Sequence, residues 1–236
     1  LYSKLKMKKQ IDHQDTSAPS PLERAGVRIK ICGMKYPENI LEVGSILPDY
    51  MGFIFWEKSA RYFDGDIPNL PKSIKKVGVF VNAPLEEILE KIEKYDLQAV
   101  QLHGDESVEF CETLKKNIPN LTDVIKVFSI LDTFDFGILN SYEKVCDFFL
   151  FDTKGKLPGG NGTTFDWKVL EQYPSTKPFF LSGGIGIEEL DSINEILKTN
   201  LPIYAIDVNS KFEIEPGLKN IQLCRDALQC VSTFKK

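Results

Sequence analysis

Short apolar segments alternate with segments of helical periodicity from residue 28 onward. In the first of them, Ile29 and Ile31 alternate with more polar residues, which is the period-2 pattern of a β-strand. The whole pattern predicts strands at residues 28–32, 50–55, 76–81, 98–102, 123–128, 145–151, 178–181 and 203–208. Two of the predicted helices begin at Pro37 and at Asp166. The other predicted helices cover residues 68–73, 84–94, 106–117, 133–142, 187–198 and 219–231.

This alternation predicts an α/β fold, a single (β/α)8 TIM barrel, because such a series of strand–helix units in about 200 residues matches the size of a minimal barrel. A doubly wound open sheet is the alternative. That fold needs a glycine-rich turn after its first strand, and the GMKY sequence of residues 33–36 does not provide one. We therefore assign residues 28–236 to the barrel. Residues 1–27 are first basic and then polar and can bury no apolar face, so we predict a flexible N-terminal extension.

Polar groups end several of the predicted strands. Cys32 ends the first strand on the same face as Lys30, and Asp152 follows the sixth. Asp207 and Asn209 share a face of the eighth strand and its continuation. Because active sites of such barrels form at the C-terminal ends of the strands, we expect a thiol and two carboxylates around one pocket.

A glycine pair marks a second candidate site. Gly183 and Gly184 follow the seventh strand, so their backbone N–H groups are available to an anion, and Ser210 follows the eighth strand. The loops after strands seven and eight form the usual phosphate site of TIM barrels. The same glycines would also suit a tight turn with positive φ and no ligand. The position in the strand order favours the binding of a phosphate.

Composition narrows the range of partners. The chain has 236 residues and a net charge of −5, which argues against a nucleic-acid partner because nucleic-acid-binding surfaces are basic. No apolar run approaches the roughly 20 residues of a membrane span, so we expect no membrane partner. Five cysteines at irregular spacing and two histidines argue against a metal site. They are typical of reduced thiols in a cytoplasmic protein.

Seven short motifs lie along the predicted barrel. They are KICG at residues 30–33, VGVFV at 77–81, QLHG at 101–104, FDT at 151–153, GGNGTTFDW at 159–167, LSGG at 181–184 and DVNS at 207–210. In this order and at this spacing, they resemble the phosphoribosylanthranilate isomerase family of tryptophan biosynthesis. The resemblance runs from about Arg28 to the C-terminal helix.

The resemblance implies an Amadori rearrangement, in which N-(5-phosphoribosyl)anthranilate becomes the corresponding 1-deoxyribulose. In the family pattern, Asp152 is the acid that protonates the ring oxygen of the furanose, and Cys32 is the base that removes the proton from ribose C2. A free thiol has a pKa of about 8.5, so Cys32 must lose its proton more easily, which Lys30 could assist. Asp152 must instead retain its proton, which burial beside Phe148 would favour.

The resemblance also implies binding roles. Arg61 matches the position that holds the anthranilate carboxylate, a task that suits a planar guanidinium group. Gln101 and His103 should face inward from the fourth strand, so we give them a supporting role, and Asp207 and Asn209 join the phosphate turns in binding substrate. The resemblance implies a phosphorylated small-molecule substrate and no cofactor or metal. It leaves open whether the protein is a monomer or a homodimer.

Alternative explanations remain at this stage. Cys32 could be a small buried apolar residue, Asp152 a hydrogen-bonding group at a strand end, and Arg61 a solvated surface cation. Other phosphate-binding barrels of histidine or tryptophan biosynthesis are the enzymatic alternatives, although a two-aspartate isomerase would have aspartate in place of Cys32. A barrel that binds a sugar phosphate without catalysis is the third alternative. The presence of both an acid and a base argues against it.

Three local features complete the sequence predictions. Residues 154–164 contain four glycines, which are typical of a lid over the site or of a disordered connection. Asp166 suits the N-terminal cap of the following helix. Lys211 stands where the family has glycine, so the chain departs from the family pattern at the turn beside the phosphate.

Overall fold

The computed structural model describes residues 26–131, 133–153 and 167–234. Eight parallel strands follow one another around a closed barrel, and the eighth pairs with the first. The strands are β1 Arg28–Ile31, β2 Tyr50–Ile54, β3 Lys75–Phe80, β4 Ala99–Leu102, β5 Asp123–Ile130, β6 Phe148–Thr153, β7 Phe179–Ser182 and β8 Ile203–Val208. The predicted TIM barrel is confirmed, and each predicted strand is present within a few residues of its predicted bounds.

Helices cover the outside of the barrel. They are α1 Pro37–Ser45, α2 Leu85–Tyr95, α3 Val108–Asn117, α4 Leu139–Tyr142, α5 Leu190–Leu197 and α6 Ile221–Ser232, with 3₁₀ turns at Phe136–Ile138, Trp167–Gln172 and Ser210–Phe212. Their starts follow from local chemistry. Pro37 occupies the first turn of α1. The Ser107 hydroxyl accepts from Phe110 N–H at the start of α3, and the Asn220 side chain accepts from Leu223 N–H at the start of α6.

Several helix predictions need correction. The helix predicted at residues 68–73 is wrong, since that segment forms turns and irregular backbone. Pro71 lacks the backbone N–H group that the fourth residue of such a helix would donate. The helix predicted from residue 219 begins at Ile221 because Asn220 is its cap, and α5 begins at Leu190 rather than at residue 187.

A small antiparallel hairpin after β8 was missed by the sequence pattern. It consists of β9 Glu213–Glu215 and β10 Leu218–Lys219. Gly217 lies in the turn with φ +92°, a conformation that favours glycine. The two strands are too short to show an apolar alternation, so only the turn residues could have indicated the hairpin.

Four aromatic side chains fill the barrel interior at the N-terminal ends of the strands. Tyr50 and Phe148 begin β2 and β6, and Phe180 and Tyr204 are second in β7 and β8. The hydroxyl oxygens of Tyr50 and Tyr204 lie 2.9 Å apart. We call these four residues the aromatic floor.

The ladder between β7 and β8 contains a register shift. Phe179 of β7 pairs with Ile203 of β8, and the next residue, Phe180, pairs with Ala205. Tyr204 is therefore an extra residue of β8. Ala205 belongs to the cluster inside the barrel, and Tyr204 packs against that cluster. Ile203 and Ile206 belong instead to the cluster between strands and helices.

Some predictions lie outside the described residues. These are the lid at residues 154–164, the cap at Asp166 and the extension over residues 1–25. The division into residues 1–27 and 28–236 therefore stays a prediction. Within the ranges that the structure describes, every helix is too short or too polar to cross a lipid bilayer.

Candidate active site

Cys32 directly follows β1 at the C-terminal end of the barrel. The residue is 4% exposed, and its backbone N–H donates to Val208 O at 2.9 Å, which continues the pairing with β8. Gly52 of β2 leaves the room that the thiol occupies, since a Cβ atom at residue 52 would lie 2.6 Å from Sγ. Sequence patterning did not indicate this role of Gly52, because the contact joins two strands.

Lys30 and Asp207 form an ion pair in the barrel interior, one inward-facing position below the thiol. Lys30 Nζ lies 2.9 Å from Asp207 Oδ1, and the two side chains are 0% and 6% exposed. Ser182 Oγ donates to Asp207 Oδ2 at 3.3 Å. Burial alone would lower the pKa of Lys30, but the negative charges of Asp207 and Cys32 together raise it. Burial raises the pKa of Asp207 despite the opposing effect of Lys30.

Burial and the charges of Lys30 and Asp207 also affect the pKa of the Cys32 thiol. Burial raises the pKa of Cys32, while the positive charge of Lys30 lowers it and the negative charge of Asp207 raises it again. The expectation that Cys32 ionises more easily than a free thiol is therefore corrected. Lys30 acts in the expected direction, but removal of the thiolate from water is the larger effect.

Asp152 lies near the end of β6 beside the two predicted supporting residues. Its side chain is 17% exposed, and its Oδ2 atom lies 3.5 Å from His103 Nε2. His103 Nδ1 lies 3.4 Å from Gln101 Nε2. Gln101 is 1% exposed, and its Oε1 atom has no hydrogen-bond partner among the described residues. The structure therefore places a row of polar side chains from Gln101 to the candidate acid.

These groups surround one cavity of about 180 Å³ at the C-terminal end of the barrel. Nine residues that the sequence predicted for the site line it: Cys32, Gln101, His103, Asp152, Gly183, Gly184, Asp207, Asn209 and Ser210. The structure thus brings the candidate acid and base together with both candidate phosphate turns. Of the predicted site residues, Lys30 and Arg61 do not line this cavity.

The glycine pair has a positive φ at both residues, +104° at Gly183 and +64° at Gly184. A side chain is strained in this conformation, so the turn itself explains the glycines. A Cβ atom at Gly184 would meet nothing within 4 Å, so no packed neighbour excludes a side chain there. The stem of Lys211 lies alongside the next part of the loop, because a Cβ atom at Gly186 would be 3.3 Å from Lys211 Cβ.

Arg61 reaches the site from the loop after β2. Its Nε and Nη2 atoms donate to Glu213 Oε1 and Oε2 at 2.8 and 2.6 Å. Its Cδ atom and Asn209 Oδ1 both lie against Gly33, since a Cβ atom there would be 2.7 Å from each. Gly33 follows Cys32, so the Arg61 side chain passes close to the candidate base.

Two buried charged residues of this region were missed by the sequence analysis. Glu213 and Lys219 lie on opposite strands of the hairpin, and Lys219 Nζ donates to Glu213 Oε1 at 2.6 Å. Their side chains are 4% and 0% exposed. Their only sequence signal was the Pro216–Gly217 turn between them, which by itself does not indicate burial.

Comparisons with known proteins agree in sequence and in fold. Residues 29–230 match the sequence model of PRAI, N-(5'-phosphoribosyl)anthranilate (PRA) isomerase. The N-(5'-phosphoribosyl)anthranilate isomerase of Parabacteroides distasonis is 44% identical over 210 residues, which are 85% of this chain and 91% of that relative. The crystal structure of the Thermotoga maritima isomerase matches with a TM-score of 0.73 at 32% identity, covering 87% of this chain and 98% of that chain.

A second solved structure contains a ligand. It is a phosphoribosyl anthranilate isomerase in complex with reduced 1-(o-carboxyphenylamino)-1-deoxyribulose 5-phosphate. Its TM-score is 0.72 at 30% identity, and the match covers 87% of this chain and 98% of that chain. The chain therefore belongs to the N-(5'-phosphoribosyl)anthranilate isomerase family.

Proposed function

We propose that Asp152 and Cys32 are the acid and the base with which this isomerase of tryptophan biosynthesis converts N-(5'-phosphoribosyl)anthranilate to 1-(2-carboxyphenylamino)-1-deoxyribulose 5-phosphate. The observation that carries this assignment is the shared cavity, which both side chains line together with the two phosphate turns. An Amadori rearrangement needs one proton donor and one proton acceptor at neighbouring atoms of a single sugar. Two titratable groups that face one cavity meet that requirement.

The reaction on the substrate consists of a ring opening that needs an acid and a proton removal that needs a base. Asp152 donates its proton to the ring oxygen, the C1–O bond breaks, and the electron pair of the anthranilate nitrogen forms a protonated Schiff base at C1. Cys32, as the thiolate, then removes the proton from C2, the electron pair of that C–H bond forms the C1=C2 double bond, and the π pair of the C1=N bond returns to nitrogen. In the resulting enol, the C2 hydroxyl loses its proton as C2=O forms, and the electron pair of the C1=C2 bond takes up a proton at C1, which gives the ketose.

Gln101 and His103 support this arrangement from β4 and the loop that follows it. His103 Nε2 is 3.5 Å from Asp152 Oδ2, close enough to restrict the carboxyl group within the cavity. We propose that Gln101 Oε1 accepts a hydrogen bond from a ribose hydroxyl. A buried carbonyl oxygen without a partner is destabilising, and a substrate hydroxyl would satisfy it.

The two anionic groups of the substrate fit opposite sides of the site. Gly183, Gly184 and Ser210 would bind the phosphate through the turns after β7 and β8. Arg61 would bind the anthranilate carboxylate, and its side chain is 23% exposed although it is paired with Glu213. The ligand of the related crystal structure carries both a carboxyl group and a phosphate, which supports two anion sites.

Partners and location remain proposals for this chain. The Thermotoga maritima isomerase is described as dimeric, and we propose a monomer or a homodimer here. A cytoplasmic location and the absence of a nucleic-acid partner stay predictions from composition.

The activity can be tested with freshly generated N-(5'-phosphoribosyl)anthranilate in metal-free buffer, following the loss of its fluorescence. We expect rapid decay with the wild-type protein and a reduction of about 10³-fold with Asp152→Asn, because that variant keeps the shape but lacks the proton. Asp147→Asn is the matched control, since Asp147 lies before β6 at the other end of the barrel, where it accepts from Val124 N–H at 2.8 Å. Near-normal turnover with Asp152→Asn would reject Asp152 as the acid.

A further inference from the structure

The β9–β10 hairpin brings the carboxylate of Glu213 into contact with the guanidinium group of Arg61. Glu213 Oε1 accepts from Arg61 Nε at 2.8 Å, and Oε2 accepts from Nη2 at 2.6 Å. The backbone N–H of Gly217, in the hairpin turn, donates to Oε1 at 3.0 Å. Two parallel hydrogen bonds to one carboxylate fix the plane of a guanidinium group. Glu213 therefore sets the orientation of Arg61.

Lys219 completes this cluster from the other strand of the hairpin. Its Nζ atom donates to Glu213 Oε1 at 2.6 Å, to Asn209 Oδ1 at 2.7 Å and to Asn209 O at 3.3 Å. These acceptors match the three N–H groups of a protonated ammonium. Asn39 of α1 holds the backbone of Lys219, since Lys219 N–H donates to Asn39 Oδ1 at 2.7 Å and Asn39 Nδ2 donates to Lys219 O at 2.9 Å.

The charges of the cluster do not cancel. Burial would raise the pKa of Glu213, but Arg61 and Lys219 hold it below its usual value, so the carboxylate stays ionised. Arg61 and Glu213 alone would be neutral together. Burial lowers the pKa of Lys219 and the paired Glu213 carboxylate raises it, while the three acceptors around Nζ favour the ammonium form. In that form Lys219 leaves one net positive charge beside the cavity, where partial burial strengthens its attraction for an anion.

We propose that Glu213 and Lys219 are positioning residues for Arg61. Glu213 fixes the plane of the guanidinium group, and Lys219 supplies the positive charge with which the cluster attracts the carboxylate of an anthranilate-type substrate. Lys219 also donates to Asn209 Oδ1 at 2.7 Å, which anchors the hairpin to the turn after β8. This inference rests on the proposed function and adds the residues that make the site selective for a carboxylate.

The test compares Lys219→Met with the wild type in three measurements: KM for N-(5'-phosphoribosyl)anthranilate, kcat, and the inhibition constant of ribose 5-phosphate, which lacks the carboxylate. We expect KM to rise about tenfold, the typical effect of losing a charge-assisted contact. The inhibition constant should rise by no more than about threefold, and kcat should change little, because Lys219 does not touch the reacting atoms.

Two further variants separate charge from structure. Glu213→Gln/Lys219→Met removes one charge of each sign, so the cluster regains one net positive charge, while the amide oxygen that replaces the carboxylate still accepts a hydrogen bond from Arg61. We expect KM to recover at least about threefold relative to Lys219→Met. Lys126→Met is the matched control, because Lys126 is also buried and pairs with Glu106 Oε2 at 3.0 Å. It should lower thermal stability without changing the ratio of KM to the ribose 5-phosphate inhibition constant. Lys219→Gln serves if Lys219→Met does not fold.

The outcomes separate this inference from the function on which it rests. Wild-type turnover with an unchanged KM in the Lys219 variant would refute the inference and leave the isomerase assignment intact. Equal changes for substrate and ribose 5-phosphate, or no recovery in the double variant, would also refute it. A wild-type protein without turnover would refute the proposed function itself.

Discussion

The two ends of the barrel interior are built on the same strands but hold opposite kinds of side chain. At the N-terminal end, the aromatic floor packs ring against ring, with centroids 4.5 Å apart for Phe148 and Tyr204 and 5.4 Å apart for Tyr50 and Phe180. At the C-terminal end, the inward positions are a thiol, carboxyl groups and a buried lysine. On β6 one face carries both kinds, from Phe148 to Asp152.

The difference shows how a barrel can separate stability from chemistry. The aromatic floor buries apolar surface and keeps water out of the interior below the site. Cys32 and Asp207 lie in surroundings where charge is poorly solvated, and burial raises the pKa of both. Changes at the two ends should therefore affect different measurements.

Among the changes that compare the two ends, Cys32→Ser is expected to have the largest effect. A hydroxyl is a far weaker base than a thiolate, so turnover of N-(5'-phosphoribosyl)anthranilate should fall by about 10²-fold or more. The free energy of unfolding should change little, because serine is close in size to cysteine. Steady-state kinetics and urea unfolding measure the two quantities. Wild-type turnover in this variant would place the base elsewhere.

Phe180→Ala should show the reverse pattern. Phe180 is fully buried in the aromatic floor, and truncation of a buried phenylalanine lowers the free energy of unfolding by about 3–5 kcal/mol. Well below the unfolding temperature, kcat/KM should stay within about threefold of the wild type, because Phe180 does not line the cavity. A loss of turnover as large as that of Cys32→Ser, in protein that is still folded, would show that the two ends are not separable.

The smallest expected effect is a gradual dependence on pH. Because burial raises the pKa of Cys32, the thiolate is the minor form near neutrality. Below the pKa of the thiol, its fraction grows tenfold for each pH unit, so the ultraviolet absorbance of the Cys32 thiolate, taken as wild type minus Cys32→Ser, should grow between about pH 7 and 9. This signal reports the thiol alone, whereas kcat/KM also needs the protonated form of the acid, whose fraction falls as the pH rises. A difference signal that is already complete at about pH 7 would contradict the raised pKa.

Alternation along the strands was sufficient to predict most of the site. It placed Ile29 and Ile31 toward the helices and Lys30 and Cys32 toward the interior, and the packing agrees with this assignment. Strand alternation is a local property, so a single sequence contains it. The roles assigned to Cys32 and Asp152 came instead from the resemblance, because alternation locates a side chain but does not assign its chemistry.

The features that the sequence did not predict depend on contacts between distant segments. Gly52 matters because the thiol of another strand lies against it, and Lys219 matters because it meets Glu213 and Asn209 across a hairpin turn. The wrong helix at residues 68–73 is a different case, since the weak apolar pattern there was outweighed by Pro71. Non-local contacts and marginal local signals thus account for the misses.

The extra residue in β8 has a consequence for how the gene can change. Tyr204 of the floor and Asp207 of the site are separated by an odd number of positions, so a strand of strict alternation would face them to opposite sides. The register shift at Tyr204 lets one strand supply both. Loss of a single codon between the two residues would leave an even separation, so a strand without the shift would again face both side chains inward. A one-residue deletion is therefore tolerable at this point of β8, whereas in a strand without an extra residue it would turn one end of the strand to the other face.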